Sequence, residues 1–285
     1  MKLHCIPILS ALFTSLVCFS NPATKISDNS PSSGIVIRWN DCEQTIDGFG
    51  IAQAGWAKEL FAFKNRKQVM DKMFGNDGLR LNILRGEIFP HYWENKEDKD
   101  FNLNDDINIE LCDSDFNNKS DDLLRRGQLW LTLEAKNKYH INKLVFSTWS
   151  APAWMKSNGK VSNGKLKPEC YQDFANYLAA FYKAYKSKGI TPYAISPSNE
   201  PGYAAPWNSS LWTADEMGKF ITSNLGPTFQ KENIPAKIIF GENPLWSVVM
   251  PQLKMVSSKD FTDTILQDYP EIKKFNLIAA GHGYS

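Results

Sequence analysis

Several features that would commit a chain to a common function are missing from this sequence. It carries no Gly-x-Gly-x-x-Gly turn and no Walker sequence, so the usual glycine cradle for a nucleotide phosphate is lacking. Its four histidines are scattered without ligand spacing and its five cysteines match no zinc pattern, so neither a metal nor another cofactor is expected. Charge of one sign is scarce as well. With 32 basic and 31 acidic residues the net charge is +1, and no whole-chain field draws nucleic acid or an anionic membrane. No long apolar run follows the first twenty residues, so stable membrane insertion is not expected. A neutral partner suits this balance.

What is present is a globular composition. The 285 residues are 42% hydrophobic, enough for a sizeable core. Nine tryptophans exceed ordinary core needs, and flat aromatic faces in a groove can hold sugar rings, although packing accounts for most such residues. Residues 1–20 read as a signal peptide, with Lys2, an apolar run from Ile6 to Phe19 and a small-x-small end at Cys18-Phe19-Ser20. That implies a secreted or cell-surface protein, with Cys18 as an alternative lipoprotein anchor. A Ser/Asn/Pro/Thr-rich tether follows over 21–34. Removal of the signal leaves Cys42, Cys112 and Cys170, read as packing residues.

Beyond the tether, strands and helices alternate. Ile35 to Trp39 reads as one strand, and Gln44 to Gly50 as another ending in a glycine turn. A helix is expected over Trp56 to Phe74, a strand over Leu79 to Ile88, a polar surface loop over Glu94 to Asp122 and a helix over Leu123 to Lys138. Further strands fall at Lys143 to Ser150, Tyr193 to Glu200, Ala236 to Glu242 and Asn276 to Tyr284. The helices between them span Pro168 to Lys188, Thr213 to Lys231 and Phe261 to Gln267. This order predicts an α/β fold with a parallel sheet, read as an incomplete (β/α)8 TIM barrel of about six strands. The competing doubly wound sheet would normally show the absent glycine-rich turn. The barrel is assigned to 45–285, with 35–44 as a strand of an accessory β-sandwich.

Reactive groups of such barrels sit where strands end. The ends read here are Gly48-Phe49-Gly50, Arg85-Gly86-Glu87, Trp149-Ser150-Ala151-Pro152, Asn199-Glu200-Pro201, Glu242-Asn243 and His282-Gly283-Tyr284. Cleaving a glycosidic bond usually takes two carboxyl groups flanking it, one to protonate the leaving oxygen and one to attack carbon or activate water. Glu200 is the better placed acid. The neighbouring Asn199 amide is expected to reach a sugar hydroxyl, and Pro201 to restrict the Glu200 backbone to extended values. Glu87 is read as an ion-pair partner of Arg85 or Arg80.

Taken in order, Gly48-Phe49-Gly50, Leu84-Arg85, Ser147-Thr148-Trp149-Ser150-Ala151-Pro152-Ala153-Trp154-Met155, Tyr193 through Asn199-Glu200-Pro201, and His282-Gly283-Tyr284 resemble glycoside hydrolase family 30. The resemblance covers roughly residues 35–285. It implies a (β/α)8 barrel joined to a β-sandwich, and a retaining double displacement with the fourth-strand Glu200 as acid/base and a seventh-strand Glu as nucleophile. No residue here matches that nucleophile, whose segment would lie beyond Ser285, so the chain alone is expected to be inactive. Glu242 takes a supporting role, and Arg85 a place near the nucleophile carboxylate. Trp149 is expected beneath the sugar and Trp154 at the rim, with His282 and Tyr284 bonding nucleophile or substrate. Tyr203 and Trp207, just after the acid, favour an endo-β-glycanase such as a xylanase or β-1,6-galactanase. A glucosylceramidase-like exo-glucosidase and an inactive carbohydrate-binding remnant are the alternatives.

Overall fold

The computed structural model describes residues 38, 40–41, 44–53, 56–90, 93, 95–97, 127–247 and 256–284. The signal peptide, the tether, most of the Ile35–Trp39 strand, Cys42, Cys112 and nearly all of the 94–122 loop lie outside these residues. The described residues from Asp47 onward form one compact unit.

That unit is built on six parallel strands, β1 (Gly50–Ala52), β2 (Ile83–Ile88), β3 (Lys143–Thr148), β4 (Ala194–Ser196), β5 (Lys237–Asn243) and β6 (Leu277–Gly281), hydrogen-bonded in the order 1-2-3-4-5-6. A doubly wound sheet reverses its order at a switch point, whereas here every strand pairs with its neighbour in sequence, as in a TIM barrel. Between the strands run α1 (Ala57–Ala62), α2 (Arg66–Phe74), α3 (Gly127–Tyr139), α4 (Tyr171–Ser187), α5 (Ala214–Phe220), α6 (Gly226–Lys231) and α7 (Ser258–Asp268).

Register divides the sheet into two faces. Leu84, Leu144, Phe146, Ile195, Ile238 and Phe240 share the outer one and are buried under the helices. There α4 sets Phe181 and Tyr185 against Phe146, with ring centroids 5.1 and 4.8 Å apart. Each aromatic pair of this kind contributes about 0.5–1.5 kcal/mol beyond its buried area. The opposite face carries Arg85, Glu87, Ser147 and Ser196, polar groups that a purely structural core would avoid.

Several boundaries differ from the sequence reading for identifiable reasons. Residues 44–49 are not a strand: β1 starts at Gly50, and Gly48-Phe49 precede it, at the N-terminal end of the sheet. Gly48 and Phe49 sit there because Phe49 N donates to Asn82 Oδ1 at 3.0 Å, and a side chain on Gly48 would overlap that amide. The helix expected over 56–74 breaks at residues 63–65, where Phe63 turns extended. The helix expected over 213–231 does run without a gap. Thr213 caps it in a reciprocal box with Glu216, while Pro227, lacking the N–H that Ser223 would bond, coincides with a π-turn over Ile221–Leu225.

Candidate active site

All six strands point their C-terminal ends the same way, and there the polar face gathers its ionisable groups. Strict alternation would turn Glu242 outward, because Phe240 faces out. A β-bulge intervenes: Gly241 pairs with Ala280 and Asn243 with Gly281, leaving Glu242 as the inserted residue. Gly241 and Glu242 have φ of 101° and 49°, and the turn aims the Glu242 carboxylate inward. One oxygen accepts from Ser147 Oγ at 2.9 Å and from Ser196 Oγ; the other takes Arg85 Nη2 at 3.1 Å. Burial alone would raise this carboxyl, but Arg85, His282 and Ser196 together hold it down at about 2.

Glu200 is buried beside it, 8% exposed. Its φ of 49° corrects the expectation that Pro201 keeps it extended. Tertiary bonds override the proline's local preference: Glu200 N donates to the Glu242 carbonyl at 3.2 Å, the Glu200 carbonyl accepts from Tyr203 N at 2.9 Å, and Gly202 N reaches Asn243 Oδ1 at 2.8 Å. His282 joins the two carboxylates, with Nδ1 2.9 Å from Glu200 Oε1 and Nε2 3.8 Å from Glu242 Oε1. Burial would lower the imidazole, yet its bonds to Glu200 and Glu242 push it up to about 9, so at neutral pH it is a cation donating to Glu200.

The other candidates separate into neighbours and bystanders. Asn199 gives its amide oxygen to Arg85 Nη2 at 2.7 Å, so this oxygen serves the protein. Arg85 is thereby bound to Asn199 and Glu242. Trp149 is half-buried, with an unpartnered indole nitrogen. Trp154 donates to the Trp93 carbonyl at 3.1 Å and packs against the core, which makes it a brace between loops. Tyr203 and Trp207 meet edge-to-face at 6.3 Å, and Trp207 is half exposed. Tyr284 stands out into solvent with its ring 5.4 Å from that of His282.

Three groups escaped the sequence reading. Ser147 and Ser196 orient Glu242, and their signal was a hydroxyl at an inward position of an otherwise apolar strand. Lys156 is fully buried, donating to Ser150 Oγ at 3.1 Å and to the Ser209 carbonyl at 2.6 Å, and burial pulls it down to about 8. It ties the loop after β3 to the loop that starts at Glu200. Glu87 needs a correction. It pairs with neither Arg85 nor Arg80: Arg85 holds Glu242, Arg80 Nε holds the Asn76 carbonyl, and Glu87 lies 1% exposed with the neutral Asn208 side chain, not a cation, bearing on its carboxyl.

Over residues 46–248, which include β1 to β5, the sequence matches the family described as "Glycosyl hydrolase family 30 TIM-barrel domain". The chain belongs to glycosyl hydrolase family 30. An endo-1,6-beta-D-glucanase of Neurospora crassa is 28% identical over 77% of this chain and 45% of its own length. Glucuronoxylanase XynC of Bacillus subtilis is 31% identical over 50% of this chain and 31% of its own. A solved endo-beta1,6-glucanase superposes with a TM-score of 0.68 at 22% identity, covering 89% of this chain and 55% of that one, and supports the barrel fold. The chain thus spans about half or less of the length of these curated relatives.

Proposed function

We propose that this family 30 chain carries the acid/base side of a secreted, retaining hydrolase of β-linked glycans, with endo action on a neutral polymer such as a β-1,6-linked glucan or a xylan. The observation that carries the reading is the buried Glu200 carboxyl at the C-terminal rim of the sheet, held by His282 at 2.9 Å and followed by the Tyr203 and Trp207 pair. Glu200, taking up a proton from solvent as the glycan binds, gives it to the bridging oxygen as the bond breaks, then takes one from the water that resolves the intermediate. The cation at His282 accepts the negative charge that departure of that proton leaves on Glu200. Arg85 and Glu242 keep the surrounding charge fixed, and Trp207 offers an apolar face to a sugar ring.

Glu242 is not the attacking carboxylate in this scheme. Its oxygens already accept from Ser147, Ser196 and Arg85, and a carboxylate that titrates at about 2 is a weak nucleophile. Glu87, sunk below the rim, is no better placed. The attacking group is assigned to neither.

Calorimetric titration of the chain with β-1,6-gluco-oligosaccharides and with xylo-oligosaccharides tests the reading, paired with reducing-sugar release. Binding of at least one series is expected, retained in Glu200→Gln, while any hydrolysis falls by at least about 10²-fold in that variant. Failure of both series to bind, or cleavage that survives Glu200→Gln, would overturn it.

A further inference from the structure

Glu87 is the group the mechanism does not use, and its setting is unusual. It lies two residues beyond Arg85 on β2, on the same inner face, opposite Ser147 of β3. Its backbone is clamped from below: Glu87 N donates to Gln128 Oε1 at 2.8 Å, and Gln128 Nε2 donates to the Glu87 carbonyl at 2.9 Å and to Tyr185 Oη at 2.9 Å. The side chain therefore cannot leave the face by a backbone shift. The neutral Asn208 side chain bears on its carboxyl, no cation among the described residues stands within ion-pair distance of it, and the Nε of Arg85 is buried and unpartnered. Two neighbouring side chains on one strand, one acidic and one cationic, thus stand unpaired with each other.

Native proteins rarely leave a group such as that Nε unmet, and an ionised carboxylate buried without a cation costs several kcal/mol. Burial accordingly pushes Glu87 up to about 8, against the smaller opposing pulls of the Asn208 side chain and Arg85. Among the described residues Arg85 is the charged group bearing on it. Ser147 faces it from β3 and Asn208 comes from the loop after Glu200, while Glu242 and His282 are reached through Arg85.

We propose that Glu87 is a positioning residue for Arg85: as a neutral acid it leaves the guanidinium to Glu242 and Asn199, and as a carboxylate it draws the guanidinium towards itself. The proton is lost to solvent, no bond other than O–H breaks, and the free Nε–H of Arg85 supplies the donor that the new anion requires. The consequence is an alkaline limit on the order of the Glu200 cluster. This builds on the proposed role of the cluster, but its test reads the guanidinium directly and stands apart from glycan cleavage.

The test is a pH titration of the full chain by 13C-detected NMR, following the Arg85 Nε–Cζ correlation and the Glu87 side-chain carboxyl from pH 5 to 10. In the wild type the two signals are expected to move together with a shared midpoint near 8. In Glu87→Gln the Arg85 step near 8 disappears, and only the response to His282, near 9, remains. Identical Arg85 titrations in the two proteins would overturn the proposal. So would a wild-type Glu87 carboxyl that ionises below pH 6, a result that needs no variant. Loss of glycan binding with the shared midpoint intact would sink the proposed function and leave this inference standing.

Discussion

Replacing His282 by Gln keeps the side chain's approximate size and one N–H but removes the cation between Glu200 and Glu242. The imidazole titrates at about 9 rather than its ordinary 6.5. A difference of that size, at 1.36 kcal/mol per pH unit, sets a ceiling of about 3 kcal/mol, and allowance for screening at a partly solvated ring brings it to about 2 kcal/mol. Because the folded-state value is raised, this stabilisation is fully present below pH 6.5 and is lost as pH climbs through 9. Urea unfolding of wild type and His282→Gln at pH 6, 8 and 10 measures it. The gap between the two should be about 2 kcal/mol at pH 6 and close towards zero by pH 10. Glu87 titrates in both proteins and cancels from the comparison. A gap that changes by less than about 0.5 kcal/mol across this range would refute the ion-pair account of the cluster, leaving His282 as packing alone.

Two further outcomes follow from buried groups. Lys156→Met strips Ser150 Oγ and the Ser209 carbonyl of a shared donor inside the protein, so thermal unfolding at pH 7 should show a loss of about 1–3 kcal/mol. Gly226→Ala places a methyl 2.3 Å from the Phe275 ring, and crowding of about 1–3 kcal/mol should outweigh the gain in helix propensity, giving a net lower midpoint in urea.

The alternation of strands and helices was legible because buried parallel strands are short, apolar and separated by amphipathic helices. Glu200 could be read from Asn-Glu-Pro at the end of the fourth strand. Other features depend on contacts that no local pattern encodes. Gly48-Phe49-Gly50 looked like a strand end, yet its place is set by Asn82, more than thirty residues away. The dihedral at Glu200 answers to the Glu242 carbonyl rather than to Pro201. Two-residue periodicity assigns Glu242 to the wrong face, because it gives no notice of an inserted residue. Glu87 resembled an ordinary partner for a nearby arginine, and only the assembled sheet shows that Glu242, from a strand 157 positions later, claims that arginine instead.

The extra residue in β5 also couples two loops that are distant in sequence. Glu242 hands its carbonyl to Glu200, while the next residue, Asn243, anchors Gly202 with its amide oxygen and receives His282 N on its carbonyl. Deleting Asn243 would restore regular pairing along β5, bring Glu242 opposite Gly281 and swing its carboxylate towards the helices. The same edit would unhook the acid's loop and the histidine, so a more regular sheet would come at the expense of the whole charged cluster.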